Sequence, residues 1–321
     1  MSLRITREGM GRGADKQYHL LRQHWNLEAI EKPTHLYFNA FTRDMPRLER
    51  MKAEGTTIVS RIGGWHFDSA EITGQALALS DAVIFVSGYT QKLAHKYFDE
   101  LPDRQAVIVN STEAIEPQPL HDPPYLLVRA GGIGYPVWRK TMLERSLSIF
   151  ALHAIWDSLR AKYPALELRV IGRVNKRIKK LVPPRNGVKY LDYIDDVDQL
   201  RALGAQAVAL VHLVIGDHSP NTVCEIIGEG RPAIVLDRGG AREVAGRAAI
   251  VVATELSKGR TDLDNWWALD GRTYQPNLGS LQAAVLLALR NPQSWQRQAQ
   301  KRAEEIDSSV VAQRYMEFMD G

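Results

Sequence analysis

Short apolar runs rich in β-branched residues recur along the chain, and between them lie longer stretches in which apolar positions return every third or fourth residue. A brief apolar run bounded by turn residues predicts a strand, and the 3.6-residue period predicts a helix packed on it. Strands are expected at Leu3–Thr6, His35–Asn39, Thr57–Arg61, Ala82–Ser87, Ala106–Asn110, Tyr125–Ala130, Leu166–Gly172, Gly187–Leu191, Ala207–Val214, Ala233–Asp237 and Ala249–Ala253. Several, such as Ala-Val-Ile-Phe-Val-Ser at 82–87, are apolar throughout rather than alternating. That is the pattern of a parallel sheet with helices on both faces, so the prediction is an α/β protein made of βαβ units.

The longest helical stretch runs from about Lys140 to Lys162, with Leu143, Leu147, Phe150, Ala151, Ala154 and Leu159 on one face, and it stops before Pro164. Beyond Asn291-Pro292 the pattern is helical again, and Ser308-Ser309 predicts a break with a new cap before a last helix at Val310–Met319. The stretch Gly259–Gly279 has no clear period and is expected to be irregular, with Trp266 and Trp267 used for packing. Between Asn110 and Tyr125 four prolines interrupt any periodicity, which marks a connector between two packed units. The expected division is residues 1–115, residues 116–306, and a terminal helix at 307–321 able to pack back on the first domain. A length of 321 residues agrees with two cores, since one core rarely serves more than about 250.

Charge and thiol content narrow the chemistry. Lys and Arg number 41 against 37 Asp and Glu, and a net charge of +4 is too small to argue for nucleic acid, though an anionic small molecule or an acidic membrane surface fits. One cysteine, Cys224, excludes a disulfide framework or a zinc site built from several thiolates, and no metal site is expected. Next to Glu225, this thiol reads as a small buried side chain rather than a nucleophile paired with His218. No run approaches the ~20 apolar residues that span a bilayer, and the amino terminus lacks a leader's apolar stretch, so the expected location is cytoplasmic.

The most informative segment is Val-His-Leu-Val-Ile-Gly-Asp-His-Ser-Pro-Asn-Thr-Val-Cys-Glu-Ile-Ile-Gly-Glu-Gly-Arg-Pro, residues 211–232. A strand, a turn of small polar residues and a helix starting near Asn221 follow one another, so the amides of Asn221, Thr222 and Val223 are expected to face a ligand at the carboxyl end of the sheet, with Ser219 in the turn. A phosphate suits such amides. Asp217 precedes the helix and Glu225 lies one turn inside it; carboxylates there accept hydrogen bonds from hydroxyls. Phosphate flanked by hydroxyls describes a nucleotide-sugar.

These residues resemble the signature of the retaining glycosyltransferases of the GT-B fold, family four, in which two Glu are separated by seven residues and the second enters a run of small residues ending Gly-x-Pro. Here the first acid is Asp217 where the family has Glu, the second is Glu225, and Gly230-Arg-Pro232 and then Gly239-Gly240-Ala-Arg-Glu243 fall in register. Leu168–Arg173 and Val188–Asp196 look like the family's next strands, and the resemblance covers roughly residues 80–250. It implies two Rossmann-like domains facing a central cleft, the donor nucleotide on the second, and glycosyl transfer with retention and without a metal. By position it assigns Lys140, then Arg139 and Arg129, to the donor diphosphate, and Gly172, Arg173 and Tyr193 to the side of the nucleotide base. A glycine-rich loop with Gly11 and Gly13 is placed near the diphosphate, and His66 near the transferred sugar or the acceptor.

The expected partners are a nucleoside-diphosphate sugar as donor substrate, with no separate cofactor, and a saccharide or lipid-linked saccharide as acceptor. The basic run Arg173–Lys180 with Arg185 and Lys189 is either a solvated helix face or a contact with the inner membrane surface. Two competing functions stand beside transfer: a nucleotide-sugar epimerase on the same fold, and a non-catalytic binding subunit, suggested by Asp217.

Overall fold

In a computed structural model the described residues are 3–5, 23–24, 35–39, 44–63, 70–131, 139–174, 179–180, 182–183, 185–256 and 274–320, with side chains omitted at 3–5, 35–39, 131 and 139–146. The chain divides into two compact units, Met1–Thr112 with Ile306–Gly321, and Glu113–Glu305.

The first unit carries a five-stranded parallel sheet in the order β1 (Leu3–Ile5), β2 (His35–Asn39), β3 (Thr57–Ile62), β4 (Ala82–Phe85), β5 (Arg104–Val107). Helices α1 (Met45–Ala53), α2 (Ala70–Leu79) and α3 (Gly88–Tyr97) connect these strands. Every residue of β4 is buried, which explains why its sequence does not alternate. Ser87 caps α3 by accepting the Thr90 amide at 3.1 Å.

The final helix belongs to this unit. The Thr112 amide donates to the Ile306 carbonyl at 3.0 Å and the Ser308 amide to the Thr112 carbonyl at 2.9 Å, drawing the chain end alongside the exit from the sheet. Buried Arg61 then donates from Nε to the Tyr315 hydroxyl at 3.1 Å. The cap of this helix, α10 (Ser308–Asp320), is Asp307, whose Oδ1 accepts the Ser309 amide at 2.9 Å, one residue earlier than the Ser308-Ser309 pair suggests. A carboxylate does the job better than a hydroxyl because it carries charge toward the positive helix end.

The second unit has a six-stranded parallel sheet in the order β8 (Val188–Leu191), β7 (Glu167–Gly172), β6 (Tyr125–Gly131), β9 (Ala209–His212), β10 (Ala233–Leu236), β11 (Ala249–Val252). From β6 the chain winds outward through β7 and β8, then returns and winds the other way from β9. The crevice between the carboxyl ends of β6 and β9 is therefore the topological switch point, where such sheets bind ligands. The long helix α4 (Arg139–Lys162) lays Leu152, Trp156 and Leu159 into the core, four and three residues apart, and the Trp156 indole N–H donates to the Asn186 carbonyl at 3.0 Å.

The connector is strapped to this unit. Its backbone amides at Ile115 and His121 donate to the carbonyls of Gly228 and Gln206 at 2.9 and 3.1 Å. Buried Arg231 reaches from the Gly-Arg-Pro turn to the carbonyls of Ala205, at 2.6 Å, and Gln118. Prolines deny the connector its own ladder, so its polar groups are met by carbonyls at the ends of neighbouring helices and by a guanidinium.

One expectation needs correcting. Residues 257–273 lie outside the described set, but the end of the supposedly irregular stretch is ordered: β13 (Tyr274–Pro276) pairs antiparallel with β12 (Thr254–Leu256), and Asn277 caps α8 (Leu278–Arg290) through the Ser280 amide at 2.8 Å. Three-residue strands are too short to show a period. The short α7 helix (Ala241–Ala245) follows β10, and the α9 helix (Pro292–Glu305) completes the unit.

Candidate functional site

Two of the described loops meet at the switch point. After β9, the turn at 213–220 is held from below by Ser148 of α4, whose hydroxyl accepts the Leu213 amide at 2.9 Å. Gly216 sits at φ +74, a conformation that favours glycine, and lets the chain reverse just before Asp217. The Asp217 carboxylate lies 3.2 Å from Nε2 of His212, at the end of β9. From β10 the Gly239-Gly240 loop closes on the same turn: the Gly240 amide donates to the Asp217 carbonyl at 2.6 Å, and a Cβ on Gly239, at φ +87, would stand 3.1 Å from that carbonyl oxygen. The downstream glycine pair thus serves to let one loop seat another by backbone contact.

Helix α6 (Asn221–Gly228) starts on this turn with Pro220 as its cap residue and no side-chain cap. The Val223 amide, expected to face a ligand, instead donates to the Pro220 carbonyl at 3.0 Å, a tightening of the first turn that takes this donor out of the anion site. Asn221 and Thr222 stand ahead of it, partly exposed, while Ser219 and the Val223 side chain are buried. Cys224 is buried and forms no disulfide.

Glu225 does not stand alone. Arg129, near the end of β6, donates from Nη1 to Glu225 at 3.0 Å and from Nη2 to both oxygens of Glu229 at 2.8 and 2.7 Å, with a further bond from Nη2 to the Leu200 carbonyl at 3.1 Å. The Arg129 and Glu229 side chains are 5% and 4% exposed and Glu225 23%, so of the two acids only Glu225 reaches toward the crevice. Burial pulls the Arg129 guanidinium down, but Glu229 and Glu225 more than offset it and its pKa is raised. Burial pushes the Glu229 carboxyl up to about 7, against the pull of Arg129. Gly204, in α5 (Val197–Ala205), makes room: a Cβ there would sit 1.6 Å from a Glu229 oxygen and 2.5 Å from Nη2 of Arg129.

Glu229 is a residue that sequence reasoning missed, yet a signal existed. It lies four positions after Glu225, on the same helical face, inside the apolar run Ile-Ile-Gly-Glu-Gly; two acids so placed require a cation, and Arg129 is a charge set in the apolar strand Leu-Leu-Val-Arg-Ala.

Across the sheet, Gly172 ends β7 at φ +122, and the Arg173 guanidinium next to it lies 5.4 Å from the centre of the exposed Tyr193 ring. These two candidates for the base side therefore form one cation–π pair. Arg139 and Lys140 open α4, directly beyond β6, with side chains outside the described atoms; Gly11, Gly13 and His66 lie outside the described residues. In the basic run, Arg185 pairs with Asp157 at 3.2 Å and Lys189 with Glu167 at 2.5 Å. Among the described residues no cluster of His, Cys, Asp and Glu is placed to hold a metal ion, and no helix is long and apolar enough to cross a membrane.

Residues 144–259 match the family model for glycosyl transferases group 1. This segment contains the 213–220 turn, α6 and the Gly239-Gly240 loop. The solved structures similar to the chain include the GtfA/B complex (TM-score 0.65, 12% identity, covering 95% of this chain and 59% of that one). A sucrose-phosphate synthase from Thermosynechococcus elongatus is similar at TM-score 0.63 and 13% identity, over 96% of this chain and 76% of its own. A UDP-forming α,α-trehalose-phosphate synthase from Burkholderia xenovorans follows at TM-score 0.61 and 11% identity, over 97% and 80%. The chain thus spans under two thirds of the first of these and more of the other two. No curated protein matches the sequence. The fold is GT-B, and the resemblance to group 1 glycosyltransferases holds.

Proposed function

We propose that the protein transfers a sugar from a nucleoside-diphosphate sugar to a hydroxyl of a saccharide or lipid-linked saccharide, with retention and without a metal. The observation that carries this reading is Glu225, a carboxylate held by Arg129 at the switch point of the second unit's sheet, one turn inside a helix that starts at Asn221 on the turn after β9. Its carboxylate oxygens can accept hydrogen bonds from the hydroxyls of a sugar ring, and the helix start beside it suits phosphate. A donor with hydroxyls on either side of a diphosphate satisfies both.

The second unit is the donor side in this reading, and the first the acceptor side. As the glycosidic bond breaks, charge grows on the departing diphosphate. The first turn of α4 with Arg139 and Lys140 and the start of α6 with Asn221 and Thr222 would stabilise that charge electrostatically, the role a metal plays elsewhere. Arg173 and Tyr193 would flank the base, and Asp217 the transferred sugar. Retention is what the group 1 resemblance implies. Two of the similar structures support a uridine diphosphate leaving group by their names, the UDP-forming synthase and a pneumococcal O-GlcNAc transferase in complex with UDP and GlcNAc.

A thermal-shift panel of nucleoside diphosphates, followed by product analysis with the matching nucleotide-sugar, tests the reading. One nucleoside diphosphate should stabilise the wild type, and Glu225→Ala should lose that response. Equal responses from wild type and Glu225→Ala across the panel would sink it, and an epimerised sugar instead of a glycoside would replace transfer with epimerisation.

A further inference from the structure

We infer that Arg129 is a positioning residue rather than a ligand for the donor diphosphate: it clamps the Glu225 carboxylate in the donor site, with Glu229 as the buried anchor of the clamp. The inference rests on the proposed donor role of Glu225 and deepens it.

The geometry separates the two roles of a cation at this place. Arg129 lies on β6 at the edge of the switch point, which is where a phosphate-binding cation belongs by position, yet its side chain is 5% exposed and its terminal nitrogens point into the protein. Nη2 serves Glu229 twice and the Leu200 carbonyl once, Nη1 serves Glu225, and the buried Nε has no partner among the described residues. A guanidinium is a rigid planar fork, so fixing Nη2 against Glu229 and Leu200 fixes where Nη1 presents itself to Glu225. Glu225 lies within α6 and Glu229 caps its carboxyl end, so the clamp also ties that helix to β6 across the crevice floor. Gly204 has no side chain where the Glu229 carboxylate lies, so α5 leaves the cavity in which the anchor sits. Arg201, on the same helix, faces Glu229 from further off and is paired with Glu113 at 2.6 Å.

The consequence is an indirect effect on recognition. A loosened Glu225 binds ribose or sugar hydroxyls poorly whether or not phosphate is present, whereas a lost phosphate ligand weakens only the diphosphate. Arg129→Met alone leaves the buried Glu229 carboxyl without its hydrogen-bond partner and threatens folding. The test therefore uses Arg129→Met/Glu229→Met, which removes the clamp with both its buried charges, and Arg129→Lys, which keeps a cation too short to span both acids.

Calorimetric or competition binding of the nucleoside diphosphate selected by the thermal-shift panel, and of its parent nucleoside, is compared across wild type, both clamp variants, Glu225→Gln, and Glu225→Gln combined with each clamp variant. The expected result is a loss of about tenfold or more for both nucleoside diphosphate and nucleoside in the clamp variants, and no further loss when they are added to Glu225→Gln. Arg129→Lys alone decides if the double variant does not fold. A loss confined to the diphosphate overturns the inference and makes Arg129 a phosphate ligand; so does unchanged affinity in the clamp variants while Glu225→Gln weakens. If Glu225→Gln itself binds as wild type does, the donor role of Glu225 falls first and takes the clamp with it.

Discussion

Glu229 gives the protein a stability that depends on pH in a direction opposite to most carboxylates. Its carboxyl is pushed from 4.5 to about 7, first by burial, with Arg129 pulling it back and Glu225 adding to the rise. A raised carboxyl pKa means that the folded state keeps a proton the unfolded chain has released. The stabilisation is complete below the unfolded value of 4.5 and is lost as pH rises through about 7. Each pKa unit is worth about 1.4 kcal/mol, so the whole effect is about 3 kcal/mol, of which about 2–3 kcal/mol disappears between pH 5 and 8. Glu229→Gln removes the titration and mimics the protonated acid, its carbonyl still able to accept from Arg129. Thermal unfolding of the two proteins should therefore nearly coincide at pH 5. At pH 8 the variant should melt higher, the gap widening by about 5–10 °C for a unit of this size. Taking the difference between the two proteins cancels the titration of other groups. A gap that stays constant from pH 5 to 8, or that closes as pH rises, would refute the reasoning. It would mean that the Arg129 ion pair, not burial, governs the charge of Glu229.

Further expectations follow from the same packing. Gly204→Ala lies in a helix, where alanine ordinarily stabilises by roughly 0.5–1 kcal/mol. Here the new methyl group collides with the Glu229 carboxylate and Nη2 of Arg129, so the sign should reverse, with a loss of about 1–3 kcal/mol in denaturant melts and weaker nucleoside diphosphate binding. Gly239→Ala meets both a φ of +87 and the Asp217 backbone, so it should displace the Asp217 turn. A melting point lowered by a few degrees together with at least several-fold weaker donor binding is expected, and unchanged binding would free Asp217 from the site. Tyr315→Phe removes the hydroxyl that accepts from buried Arg61, and should cost the first unit about 1–3 kcal/mol in chemical denaturation.

The sheets were legible because their strands are buried on both faces, which writes long apolar runs into the sequence. Ala82–Phe85, Ala233–Leu236 and Ala249–Val252 fall inside the expected segments. Strands β12 and β13 were not, because three residues at a sheet of two strands bury too little to leave a period. The helix caps were less legible. Ser87, expected as the last residue of a strand, caps the helix that follows, and the carboxylate of Asp307 was hidden behind two serines of similar preference.

At the site, spacing along the chain placed Asp217, the helix start and Glu225 together, since eight residues of turn and helix leave little freedom. What spacing could not reveal was the cost of putting Glu229 at the end of the same short helix. A buried acid must find a cation or keep its proton, and the only way to know which cation is to know that β6 and β9 are neighbours. That adjacency is a property of the sheet order, a contact between residues about a hundred positions apart. Read locally, Arg129 is a cation at a strand end and belongs to the diphosphate. Read in the fold, it is enclosed by Leu200, Glu225 and Glu229, and its charge is already matched before any donor arrives. The charge that meets the diphosphate must then come from elsewhere, which places the weight of the proposed mechanism on the first turn of α4 and the start of α6.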